Sequence, residues 1–70
     1  MKGKPKYKLG DIVKFSVNNI VKTGVVYIVD AYGTFEDPSD ASYDVLVEND
    51  EERCLYKHIS ERYVLEVLGA

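Results

Sequence analysis

From Asp11 to Val17 the chain reads DIVKFSV, which puts Val13, Phe15 and Val17 on one side of an extended backbone and Lys14 and Ser16 on the other. Apolar residues at period two mark a strand with one buried face, because successive side chains of a strand point to opposite sides. Asn18-Asn19 follows directly, and both residues tolerate positive φ, so a turn is expected there. The same signal returns in SYDVLVEN, where Tyr43, Val45 and Val47 alternate with Asp44, Leu46 and Glu48. Between these segments, GVVYIVDAY (Gly24 to Tyr32) is a run of β-branched and aromatic residues. It is too apolar for a strand exposed on one face and reads as the long central strand, bent to serve two halves of a sheet and ended by Gly33.

The rest of the chain fits around these three segments. GTFEDPSDAS, Gly33 to Ser42, is the longest polar connection, and Pro38 excludes a regular element through its middle. Asn49-Asp50 forms the next corner, and RCLYK returns as a fourth strand with Leu55 expected inward. SERYVLEVLG admits two readings: a short helix with Ser60 as N-cap and Gly69 past its end, or a 3-10 turn at HISE followed by a strand, RYVLEVL. The β-branched Val64 and Val67 favour the strand. Five short strands, a long polar loop after the second and a single turn before the last make an all-β fold, a small five-stranded SH3-like barrel with a short 3-10 turn before the last strand. LGDIVKF suits its entry: Gly10 permits a tight turn, Asp11 can bond backbone amides there, and Val13 is the first core residue.

Seventy residues make one thin-cored domain, with no room for a cleft between two domains. One cysteine excludes an internal disulfide, and one Cys with one His falls short of a zinc ligand set, so neither metal nor cofactor is expected. No apolar run approaches the ~20 residues of a membrane span, and no apolar stretch follows the first lysines, so a cytoplasmic protein is expected. Charge is uneven. Lys2, Lys4, Lys6 and Lys8 form a basic arm, residues 1–8, ahead of the barrel domain at residues 9–70. Past residue 8 there are five Lys/Arg against twelve Asp/Glu, a balance of −7. The arm suits phosphate; it suits equally a solvated terminus.

The chain resembles a group of small uncharacterised SH3-like barrel proteins of Firmicutes and their phages and mobile elements. The resemblance rests on the Gly-Asp-x-Val strand, Asp30, Gly33-Thr34-Phe35, Ser42-Tyr43-Asp44 and Leu55-Tyr56-Lys57-His58-Ile59, and covers about residues 7–68. It implies the barrel and a phage or mobile-element setting, and no particular activity; the lysine-rich start lies outside it.

RCLYKHIS holds the sole cysteine and sole histidine of the chain. On a regular strand Cys54, Tyr56 and His58 share a face, but alternate residues stand about 7 Å apart, too far for a nucleophile and its base. No oxyanion hole or third orienting residue is near, so an enzyme is not expected. The acids Glu36, Asp37, Asp40 and Asp44 lack the spacing of a calcium loop. Asp30 and Asp44 are expected to hydrogen-bond into the long loop.

Tyrosine is the better lead: six of the seventy residues, each with a flat apolar ring and a hydroxyl. Tyr32, Phe35 and Tyr43 flank the long loop, and Tyr56, Lys57 and His58 lie on the following strand. These six form the expected binding surface, with Lys2, Lys4, Lys6 and Lys8 as a nucleic-acid arm. The alternative use of the tyrosines is to close the ends of a thin barrel.

The function expected is a non-catalytic binding module contacting nucleic acid or a nucleic-acid-associated machine. The alternative is a protein-interaction or phage-encoded interference module whose acidic body occupies a basic host surface. A monomer or a weak dimer joined at an uncovered strand edge is expected.

Overall fold

A computed structural model describes residues 5–30 and 41–69. They form five antiparallel strands: β1 (Ile12–Val17), β2 (Ile20–Asp30), β3 (Ser42–Glu48), β4 (Arg53–Ser60) and β5 (Val64–Gly69). A 3-10 turn, Glu61–Tyr63, precedes β5. The strands lie in the order β4-β3-β2-β1-β5, so β4 and β5 are the two edges and the sheet is not closed by strand pairing.

The sheet nevertheless curls on itself. Phe15 on β1 and Tyr56 on β4 meet edge to face with ring centroids 5.7 Å apart. Strands three places apart in a flat sheet would be separated by about 14 Å. The curl encloses Val13, Phe15, Val26, Tyr43, Val45, Val47, Ile59 and Val64, all buried. The alternation in β1 and β3 is as the sequence implies, with Val13 and Phe15, then Tyr43, Val45 and Val47, facing in.

Local signals explain the connections. Val17 pairs with Ile20, and Asn18 and Asn19 between them have φ of 51° and 66°. Positive φ at both central residues gives the turn whose twist matches the flanking strands. At the next corner the Asn49 side chain accepts the Glu51 and Glu52 amides at 2.7 and 3.0 Å, an Asx-type turn. At the entry, Gly10 has φ of 91°, and Asp11 Oδ2 accepts the Lys8 N–H at 3.0 Å.

Of the two readings of the C-terminal segment the favoured one holds: it is a strand after a 3-10 turn, and β5 pairs with β1 from Phe15↔Val64 to Ile12↔Gly69. Two expectations change. Leu55 does not face inward: it pairs with Leu46 on the outer side of the sheet, and its neighbour Tyr56 pairs with Val45 and faces the core. The long strand β2 begins at Ile20 and is not covered on both faces. A register shift between Val26 and Ile28 leaves Tyr27 as an extra residue, and both Tyr27 and Ile28 are exposed. Gly33, Tyr32, Phe35 and most of the polar loop lie outside the described residues.

The backbone at residues 6–8 is tied to the sheet and its entry turn. The Lys6 and Tyr7 amides donate to Glu61 Oε2 at 2.9 Å and to the Tyr43 hydroxyl at 3.3 Å. Tyr43 in turn donates to Glu61 Oε2 at 2.6 Å, and the Tyr7 and Tyr43 rings meet edge to face. Burial, and after it the Glu61 carboxylate, push the Tyr43 hydroxyl well above the ordinary tyrosine range. A tyrosine whose folded pKa is raised adds stability that is whole below the unfolded pKa and lost as pH rises beyond it. The protein is therefore expected to lose stability above about pH 10, and Tyr43→Phe to flatten that loss. Urea unfolding at rising pH checks this; an equally steep alkaline loss in Tyr43→Phe would place its origin elsewhere.

Candidate ligand-binding hollow

The bulge in β4 shapes one surface of the described residues. Tyr43 pairs with Ile59 and Val45 with Tyr56, so Lys57 and His58 together oppose the single residue Asp44. A regular strand cannot send residues 56 and 59 to the same side, since three positions reverse the face. The extra residue lets Tyr56 and Ile59 both face the core and turns Lys57 and His58 out to solvent. His58 takes up the change with φ of 61°, and its N–H is held by Asp44 Oδ1 at 3.1 Å. Left-handed backbone costs a non-glycine residue roughly 1–2 kcal/mol.

Beside this bulge lies a hollow of about 460 Å³ lined by Ser16 to Asn19 of the β1–β2 turn, Lys57 to Ile59, and Tyr63 of the 3-10 turn. Asn18, Asn19 and His58 are the three non-glycine residues of positive φ among those described, and all three line it. Sparsely populated backbone gathers where a site must be shaped. The hollow offers an ammonium, an imidazole, two amides, a serine hydroxyl and the ring of Tyr63, which is 51% exposed. Among the described residues no carboxylate lines it, although the whole chain carries a net charge of −3. Such a lining suits an anion with a planar apolar part: cation and amide donors for the charge, an aromatic face for the plane.

Of the six expected binding residues, the hollow brings together two, Lys57 and His58. Tyr32 and Phe35 lie outside the described residues. Tyr43 is 1% exposed with its hydroxyl engaged by Glu61, so it presents no ring face to a ligand. Tyr56 is half-buried; its ring backs Phe15 and its hydroxyl donates to Glu52 Oε2 at 2.8 Å. Lys22 sits 2.6 Å from Glu52 Oε1 and 5.5 Å from the Tyr56 ring centre. The Glu52 hydrogen bond raises the pKa of both Lys22 and Tyr56, and the Lys22 hydrogen bond lowers that of Glu52. This trio closes one end of the core, the closing role open to the tyrosines from the start.

The face expected for Cys54, Tyr56 and His58 is broken at the bulge: Cys54 and Tyr56 keep a common parity, and His58 does not. Asp44 accepts the His58 N–H at the bulge; the stretch of the long loop it was expected to bond, residues 33–40, lies outside the described residues. Of the four arm lysines, Lys2 and Lys4 lie outside the described residues, and Lys8 Nζ is 3.5 Å from Asp11 Oδ1. Tyr63, Asn18, Asn19 and Ser16 join the site only through the fold. Their one sequence signal is the pair Tyr56 and Ile59, two large apolar residues three apart in a strand, which demands a bulge between them.

Compared with protein-family models, curated proteins and solved structures, the chain finds no match.

Proposed function

We propose that this protein is a non-catalytic binding module that holds a stretch of single-stranded nucleic acid in the hollow. The observation that carries the reading is the gathering of all three positive-φ non-glycine residues, among those described, around one hollow that no described carboxylate lines. Lys57 and His58 meet phosphate and Tyr63 stacks on a base, a pairing of charge and ring that tolerates any sequence. The strand order, the curl and the 3-10 turn before β5 support an SH3-like barrel as its frame. A phage or mobile-element protein working in the cytoplasm fits the same reading. The acidic remainder of the chain confines contact to this one end, since phosphate is repelled elsewhere.

Amide spectra of the labelled protein, recorded with a short single-stranded DNA, the matching RNA and a duplex, test the proposal at low salt and at about 0.2 M salt. Single strands are expected to shift Ser16 to Asn19, Lys57 to Ile59 and Tyr63, with the shifts weakened by salt. No shift at those residues at low salt would sink it, and would turn attention to a protein partner at the acidic β3–β4 corner. His58→Gly separates binding from architecture. Glycine adopts the observed φ without strain, so the variant is expected to be more stable by about 1 kcal/mol while binding the single strand more weakly. A variant that gains stability and binds unchanged would make the bulge purely structural.

A further inference from the structure

We propose that the single strand leaves the hollow across the 3-10 turn and meets Lys6, which Glu61 seats there as the next phosphate contact. The inference rests on the reading of the hollow as a single-strand site. The lysines of the molecule are unequally committed. Lys8 pairs with Asp11, Lys14 with Glu66 and Lys22 with Glu52, at 3.5, 3.5 and 2.6 Å. The ammonium groups of Lys6 and Lys57 have no carboxylate partner among the described residues, and both residues are exposed. Lys57 lines the hollow. Lys6 is the second ammonium open to a phosphate, and an ammonium is a strong donor to phosphate oxygen.

The backbone fixes where Lys6 stands. Its N–H donates to Glu61 Oε2 at 2.9 Å, and Glu61 opens the turn that ends at Tyr63. Two residues of a 3-10 turn rise only about 4 Å. Lys6 is therefore anchored within one turn of the ring that stacks on a base. The next residue secures the same segment: the Tyr7 N–H donates to the Tyr43 hydroxyl at 3.3 Å, and the two rings meet edge to face with centroids 5.6 Å apart. An anchor through the backbone leaves the Lys6 ammonium in place without consuming it. The Glu61 carboxylate lies beside this path, and it already accepts two hydrogen bonds, from the Lys6 N–H and from the Tyr43 hydroxyl at 2.6 Å. It is a positioning residue for Lys6 and touches no phosphate. Lys8 marks the limit of the path, because its ammonium is drawn to Asp11 at the entry turn.

Titrations of the intact protein with an oligothymidylate of about eight nucleotides, and with a thymidine dinucleotide, test the inference. Lys6→Ser is expected to weaken binding of the longer strand about two- to fivefold at low salt. It is also expected to lower the slope of log affinity against log salt by about 0.7, the share of one phosphate contact on a single strand. The dinucleotide fills only the hollow and is expected to bind the parent and Lys6→Ser alike. Lys8→Ser removes the same charge from a neighbouring position and is expected to leave the affinity and slope of the longer strand at the parent's values. Both side chains are exposed and serine keeps each backbone N–H, so the core and the anchors stay intact. An unchanged slope in Lys6→Ser, equal losses in Lys6→Ser and Lys8→Ser, or a dinucleotide weakened as much as the longer strand overturns the path while the hollow keeps its role. A parent protein that binds neither strand at low salt overturns the reading of the hollow, and the path with it.

Discussion

Replacing Gly24 by alanine is expected to destabilise the protein by about 3 kcal/mol, at the upper end of what overpacking costs. A Cβ at this position would stand 2.5 Å from the Leu46 carbonyl oxygen, 2.7 Å from Val45 Cγ1 and 3.0 Å from the Leu46 carbonyl carbon. Two of these atoms are backbone of β3, and β3 cannot retreat without breaking its pairing with β2 at Val25↔Leu46. Gly24 is buried where β2 passes from its partnership with β1 to its partnership with β3, so the absent side chain is what lets the sheet curl. The other described glycines calibrate the effect. Gly69 has nothing within 4 Å of an added Cβ, and Gly69→Ala is expected to fall within about 0.5 kcal/mol of the parent. Gly10 is equally open but has φ of 91°, and Gly10→Ala is expected to cost about 1 kcal/mol through the backbone alone. Urea unfolding of the three variants measures the series. Equal midpoints for Gly24→Ala and Gly69→Ala would show that β2 and β3 can separate at this point without loss.

Phe15→Ala is the larger lesion, at about 3–5 kcal/mol for the emptied volume. Phe15 is fully buried in β1, between Lys22 of β2 and Val64 of β5 in register, and its ring meets Tyr56 of the far edge. It thus ties β1 to β4 across the curl, and losing the ring pair adds to the cavity. A domain of this length has a total stability of roughly 4–10 kcal/mol, so the variant is expected to be largely unfolded or close to it at 25 °C. Near-ultraviolet circular dichroism and the urea midpoint report the outcome. A midpoint shifted by less than about 1 kcal/mol would mean that the core collapses around the gap and that Phe15 is not its centre.

The exposed ion pairs weigh little beside these two positions. Lys14–Glu66 and Arg53–Glu48 lie at 3.5 and 3.4 Å with open side chains. Pairs of this kind contribute about 0–1 kcal/mol each, and they matter more for the partners they steer than for folding.

Much of the architecture was legible in the order of residues. Period-two alternation exposed β1 and β3, because a side chain that must face the core recurs at every second residue whatever lies opposite it. Asn18-Asn19 announced its turn because these side chains tolerate left-handed backbone at low cost. Gly10 and Asp11 announced the entry for equally local reasons, one through its φ and the other through a bond three residues away. Val64 and Val67 pointed to a strand at the end of the chain through their stiffness at the β-carbon.

The site was decided elsewhere. Whether Tyr43 shows a ring to solvent or buries it depends on Glu61 and Tyr7, 18 and 36 residues away in the chain, and no local pattern reports that distance. Lys57 and His58 reach the surface together only because Tyr43 and Val45 pair across them with one residue fewer. Tyr63 meets Asn18 and Asn19 only because β5 returns to pair with β1. Alternation and turn chemistry act between neighbours in sequence and so can be read from it. The hollow joins three separate segments, and its shape follows from register and curl, which exist only once the strands have paired.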